Sequence, residues 1–78
     1  MSENVKDTQR AVAACRAIID GRDPKTDCSL ILVTTEHAIA TLLIALMGDP
    51  RKAAAMLNEG LLQGVEERLS RWNIRSQP

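Results

Sequence analysis

Between Pro24 and Met47 the chain is apolar on nearly every side of the helix it would form. At helical spacing one stripe runs Cys28, Leu32, Thr35, Ile39, Leu42 and Leu46, and an offset stripe runs Leu30, Val33, His37, Ala40, Ile44 and Met47. A helix on the surface of a small domain needs one apolar stripe to face its core. Two stripes require cover on two sides, and a chain of 78 residues has few elements to supply it. The surplus predicts self-association or a partner protein.

Size sharpens the point. A chain this short is read as a single helical domain over residues 1–78. Such a domain buries only about 60% of the surface its unfolded chain exposes, so it needs a further source of stability. Disulfides, a metal or oligomerisation are the usual sources. Trp72 is the one aromatic residue, with no Phe and no Tyr, so the core falls to Leu, Ile, Val, Met and Ala. These side chains bury less area than aromatics. Oligomerisation is the expected supplement.

Two short pieces punctuate the chain alike: Gly21-Arg22-Asp23-Pro24-Lys25 and Gly48-Asp49-Pro50-Arg51-Lys52. Gly suits the left-handed residue that ends a helix. Asp is a favoured N-cap, and Pro is preorganised for the first helical position. Each piece therefore reads as a stop, a turn and a start. The prediction is all-α, with helices over residues 4–20, 24–47 and 50–72 and a frayed tail over 73–78. Short turns make neighbouring helices antiparallel, giving a three-helix bundle or hairpin completed by homo-oligomerisation.

Helix 1 carries Val5, Val12, Cys15 and Ile19 in one row and Lys6, Asp7, Arg10 and Asp20 on much of the opposite face. Helix 3 carries Ala54, Leu57, Leu61, Val65, Arg68 and Trp72 in a row, with Glu59, Glu66, Glu67 and Arg71 facing water. Ser29 to Val33 has the β-branched character of a short strand, but no second strand candidate exists to pair with it. One long helix, bent near Thr34-Thr35, is the better reading.

The candidate oligomer interface is the second stripe, Leu30, Val33, His37, Ala40, Ile44 and Met47, joined by Gly60 and Gly64 of helix 3. Each of those glycines costs roughly 1 kcal/mol against Ala in a helix. Their spacing suits close approach of another helix, as in small-xxx-small packing, or relief of crowding inside the monomer. His37 reads as a residue bordering the interface. If it is buried there, protonation on acidification weakens the assembly. Arg68, Arg71 and Arg75 lie near Trp72 on one face. They complement the helix dipole, and with Trp72 they form a candidate docking patch for an acidic protein surface, since Trp and Arg are enriched at binding hot spots.

Chemistry is sparse. One His and two scattered cysteines, Cys15 and Cys28, give no metal-ligand spacing, and the cysteines read as small core residues. No nucleophile elbow or phosphate-binding glycine loop occurs. No enzyme, catalytic residue, metal or cofactor is expected. Ten basic and ten acidic residues give zero formal net charge. The signs are mixed along the chain, which leaves little footprint for nucleic acid. A helix-turn-helix regulator is the alternative reading. Against it, the helix after the second turn continues Ala53-Ala54-Ala55-Met56-Leu57 where base-reading side chains belong. Met1 to Arg10 is polar, without the apolar core of a secretory leader, so the cytoplasm is the expected compartment. The apolar run 38–47 is too short to span a bilayer. The resulting expectation is a small homo-oligomeric helical module, an adaptor, inhibitor or antiactivator, bound to a larger cytoplasmic protein.

Overall fold

The computed structural model describes residues 3–76, with side chains described as far as Trp72. Every secondary-structure element among them is helical. Helix α1 is Glu3–Ile19, α2 is Cys28–Met47 and α3 is Pro50–Met56. A π-helical turn, Leu57–Leu61, joins α3 directly to α4, Leu62–Ser76. The third helical segment thus runs on past residue 72, four residues into the stretch read as a frayed tail. Ser29 to Val33 is helical.

The chain divides into two units, Met1–Ile39 and Ala40–Pro78, with the boundary inside α2. In the first unit, α1 ends where Asp20 turns left-handed at φ 50°, followed by Gly21 at φ 73°. The stop therefore falls one residue before the glycine that suggested it. The Asp20 N–H donates to the Arg16 carbonyl at 2.8 Å. Arg22 then folds back on the helix it follows. Its Nε donates to the Ile19 carbonyl at 3.0 Å, and its Nη2 donates to the Ile18 carbonyl and to Thr34 Oγ1. The Ile18 carbonyl, one of those a helix C-terminus leaves without a backbone partner, is thereby satisfied; the Ile19 carbonyl also accepts from the Arg22 backbone N–H at 3.0 Å, and the end of α1 is tied to α2.

The start of α2 corrects the sequence reading. Pro24 opens a single turn rather than the helix itself, and α2 begins at Cys28. Asp23 caps that turn, its Oδ1 accepting from the Lys25 N–H at 2.8 Å. The Asp27 N–H closes it on the Asp23 carbonyl at 2.9 Å. Asp27 then begins again: its carboxylate accepts from the Asp23 N–H at 3.2 Å, and its carbonyl accepts from the Ile31 N–H at 2.9 Å. Farther along, the Thr34 and Thr35 hydroxyls donate to the carbonyls of Leu30 and Ile31. Such back-bonds let threonine sit within a helix without leaving its hydroxyl unpaired.

In the second unit, Gly48 takes φ 74° and its N–H donates to the Ile44 carbonyl at 2.8 Å, ending α2. Asp49 is extended, and its side chain accepts from the Arg51 N–H at 2.7 Å, with Pro50 in the first helical turn. The π turn has a local cause. The Asn58 side-chain amide donates to the Ala54 carbonyl at 3.0 Å, the acceptor its own backbone N–H would use in an α-helix. The ladder slips by one residue, and the Leu62 N–H reaches the Leu57 carbonyl. Gly60, with no side chain to crowd the wider turn, sits within it.

Burial is slight. Among the described residues only Leu43 and Ala53 are buried, both in the second unit. Neither belongs to the rows that the sequence marked out as apolar faces. Arg10 forms surface ion pairs with Glu3 and Asp7 on α1; pairs this exposed contribute little to stability.

Candidate interaction surface

The two stripes of α2 are largely open to solvent. Leu30 is 61% exposed, Leu42 57% and Leu46 65%, and Leu32, Val33 and Ile44 are exposed as well. His37 and Ala40 are exposed, and Met47 is half-buried. The buried position of this helix is Leu43, which lies between the stripes. Sequence periodicity could not single it out, because nearly every position around it is also apolar.

Gly60 and Gly64 are half-buried. A Cβ at Gly60 would stand 2.8 Å from Met56 Sδ, and one at Gly64 would stand 3.5 Å from Arg68 Nη1. Both neighbours are the far ends of flexible side chains on the same helical path. The glycines therefore make room locally for those side chains.

On α4, Leu62, Val65, Leu69 and Trp72 are exposed, Trp72 at 71%. Arg68 and Arg71 are exposed beside it, and Arg68 donates to the Gly64 carbonyl at 3.0 Å. The side chain of Arg75, the last member of the expected docking patch, lies outside the described residues. Cys15 and Cys28 are free thiols and exposed, not core residues. Among the described residues no three His, Cys, Asp or Glu side chains gather as a metal-sized group.

The length of α2 bears on the expectation that no segment spans a bilayer. The helix extends over 20 residues with Glu36 as its one formally charged side chain, long and apolar enough by length and composition to cross a membrane. At 1.5 Å per residue it measures about 30 Å, the thickness of a bilayer's hydrocarbon core. Counting only residues 38–47 understated it, because Glu36 and His37 interrupt the hydropathy without interrupting the helix.

No protein-family model, curated protein or solved structure matches the chain.

Proposed function

We propose that the protein is a non-enzymatic helical interaction module. In this reading two or more copies associate through the second stripe of α2 and form a helical bundle together. The assembly acts as an adaptor, inhibitor or antiactivator on a larger cytoplasmic protein, with Arg68, Arg71 and Trp72 as the patch that meets an acidic surface. One observation carries the proposal: Leu30, Val33 and Ile44 of the second stripe are exposed, as are Leu32, Leu42 and Leu46 of the first, on one 20-residue helix. Exposed apolar surface beyond scattered single residues marks an interaction site.

A second copy fits this helix better than lipid does. Glu36 and His37 are the ninth and tenth of its 20 residues, and a membrane would place them at the bilayer centre. An ionisable side chain there costs about 2.5 kcal/mol or more. Lys and Arg number five before α2 and five after it, so no charge bias orients a span. At a protein interface the same two residues lie beside threonines that a neighbouring helix can accommodate.

Light scattering after size-exclusion chromatography tests the reading. The wild-type chain is expected to run as a dimer or larger at tens of micromolar without detergent. Ile44→Glu, a charge on the second stripe, should give monomer or unfolded chain. Wild-type monomer, or unchanged assembly in Ile44→Glu, overturns the proposal. Recovery of the chain only in detergent extracts of membranes overturns it in favour of a bilayer span.

A further inference from the structure

A shallow groove of about 320 Å³ opens on the second unit, lined by Met47, Lys52, Ala55, Met56, Glu59 and Gly60. Its walls are mainly apolar, with two thioethers, the Glu59 carboxylate and the Lys52 ammonium. The π turn beside it decides what shares its face. An α-helix turns about 100° per residue, so in an unbroken helix Trp72 would stand about 160° from Met56 and Arg68 about 120° from it. A π turn absorbs one extra residue. With that residue absorbed the angles fall to about 60° and about 20°. The slip thus brings Met56, Gly64, Arg68 and Trp72 onto one side of a continuous helical path.

Trp72 cannot fill the groove of its own chain, because it lies sixteen residues beyond Met56 on that path, about 24 Å away. A second copy can bring one there. We infer that two chains pair antiparallel along this path, about a two-fold axis through Gly64, so that each Trp72 indole seats in the other chain's methionine-lined groove. This rests on the self-association proposed above, and it sets Arg68, Arg71 and Trp72 against the Glu59 side of a second copy in place of the larger protein.

The pairing is self-complementary, as a two-fold interface requires. Gly64 is the midpoint between Met56 and Trp72, so the helices cross where neither has a side chain. Sulfur against an aromatic ring is a favourable contact, and Met47 and Met56 supply it. One of the groove's two charges, Glu59, also finds its opposite. In this register Glu59 lies level with Leu69 of the second copy, between that copy's Arg68 and Arg71. Arg68 then exchanges the neutral Gly64 carbonyl for a carboxylate, a stronger acceptor. The two-fold axis repeats every one of these contacts.

Trp72 is the chain's single tryptophan, so its fluorescence reports the pairing directly. Wild-type emission should move to shorter wavelength, and acrylamide quenching should weaken, over the concentration range where light scattering shows association. Trp72→Ala should weaken self-association about 30-fold, the effect of losing a 2 kcal/mol hot spot. Glu59→Arg should also weaken it, and adding Arg68→Glu to that variant should restore it. Association that leaves Trp72 as open to acrylamide as in the dilute chain overturns this inference and leaves the α2 interface standing. So does an unchanged association constant in Trp72→Ala. A wild-type chain that stays monomeric throughout overturns both.

Discussion

The two turns of this chain are written almost alike and fold differently. Gly48-Asp49-Pro50 passes straight into α3, whose first residue is Pro50. Arg22-Asp23-Pro24 makes one closed turn and stops, and α2 starts four residues later at Cys28. The caps themselves are equivalent: Asp49 and Asp23 each accept from the N–H two residues on, at 2.7 and 2.8 Å. What differs is the sequence that follows. After Pro50 come Arg51, Lys52, Ala53, Ala54 and Ala55, all strong helix formers. After Pro24 come Lys25, Thr26, Asp27, Cys28 and Ser29. Thr, Asp and Ser compete for backbone hydrogen bonds, and the Asp27 carboxylate turns back to the Asp23 N–H at 3.2 Å. A cap and a proline nominate a helix start; the next five residues decide whether it is taken.

The turns also differ in what holds them. The first has Arg22, bonded to the carbonyls of Ile18 and Ile19 and to the Thr34 hydroxyl. The second has no counterpart, because Gly48 is followed directly by Asp49. The largest effect is therefore expected from Arg22→Ala. Hydrogen bonds to a charged group contribute about 1.5–3 kcal/mol, and since Arg22 is half-buried a net loss of about 2 kcal/mol is expected. Urea denaturation followed by circular dichroism measures the loss. Amide exchange should locate it in residues 18–24 and leave 48–53 unchanged. Arg22→Lys should recover less than half, since one ammonium cannot replace a fork spanning three acceptors. Uniform loss of protection at both turns would show that the side chain does not distinguish them.

The caps give the next effect. Asp49→Ala should cost about 1 kcal/mol, the usual value for a lost N-cap, read as a fall in thermal midpoint. Asp23→Ala should cost no more than half as much, because Asp23 caps a single closed turn and not the first turn of a helix. Asp23→Ala with Asp27→Ala removes both carboxylates that brace that turn and should cost more than Asp23→Ala alone. Equal costs for Asp23→Ala and Asp49→Ala would mean that the single turn contributes as much as the start of α3, and the contrast between the turns would be only geometric.

These differences mark what could be read from the sequence. Helical content, the positions of both turns and the capping roles of Asp23 and Asp49 are all local: they depend on residues within four positions, and spacing reveals them. The later start of α2 was also local, but it depended on weighing Asp27 against Pro24, and the repeated Gly/Asp-Pro pattern favoured the wrong one. Arg22 was not legible, because its reach to Thr34 spans twelve positions and nothing in its neighbours announces it. The π turn left a trace in Asn58 and Gly60, two poor helix formers within three residues, but propensity alone cannot tell a bulge from a break. The stripes of α2 were legible as a surplus of apolar residues, but the burial of Leu43 between them was not.

The smallest effect concerns how α1 stops. The second turn uses Gly48 at φ 74°, where glycine bears no steric penalty, while the first uses Asp20 at φ 50°. An L-residue in the left-handed region costs roughly 1 kcal/mol, somewhat less for Asp, whose short polar side chain can bond locally. Asp20 also sets a negative charge at a helix C-terminus, where the dipole disfavours it by a few tenths of a kcal/mol. Asp20→Gly removes both penalties but frees the unfolded chain, which offsets about 0.4–1 kcal/mol. The net should be a gain of about 0.5 kcal/mol, seen as a rise of about 2–4 °C in thermal midpoint. Asp20→Asn isolates the charge: it keeps a side chain that tolerates the left-handed region and should recover about half the gain. If Asp20→Asn matches Asp20→Gly, the dipole rather than the backbone angle separates the two helix ends; if it gives nothing, the backbone angle does.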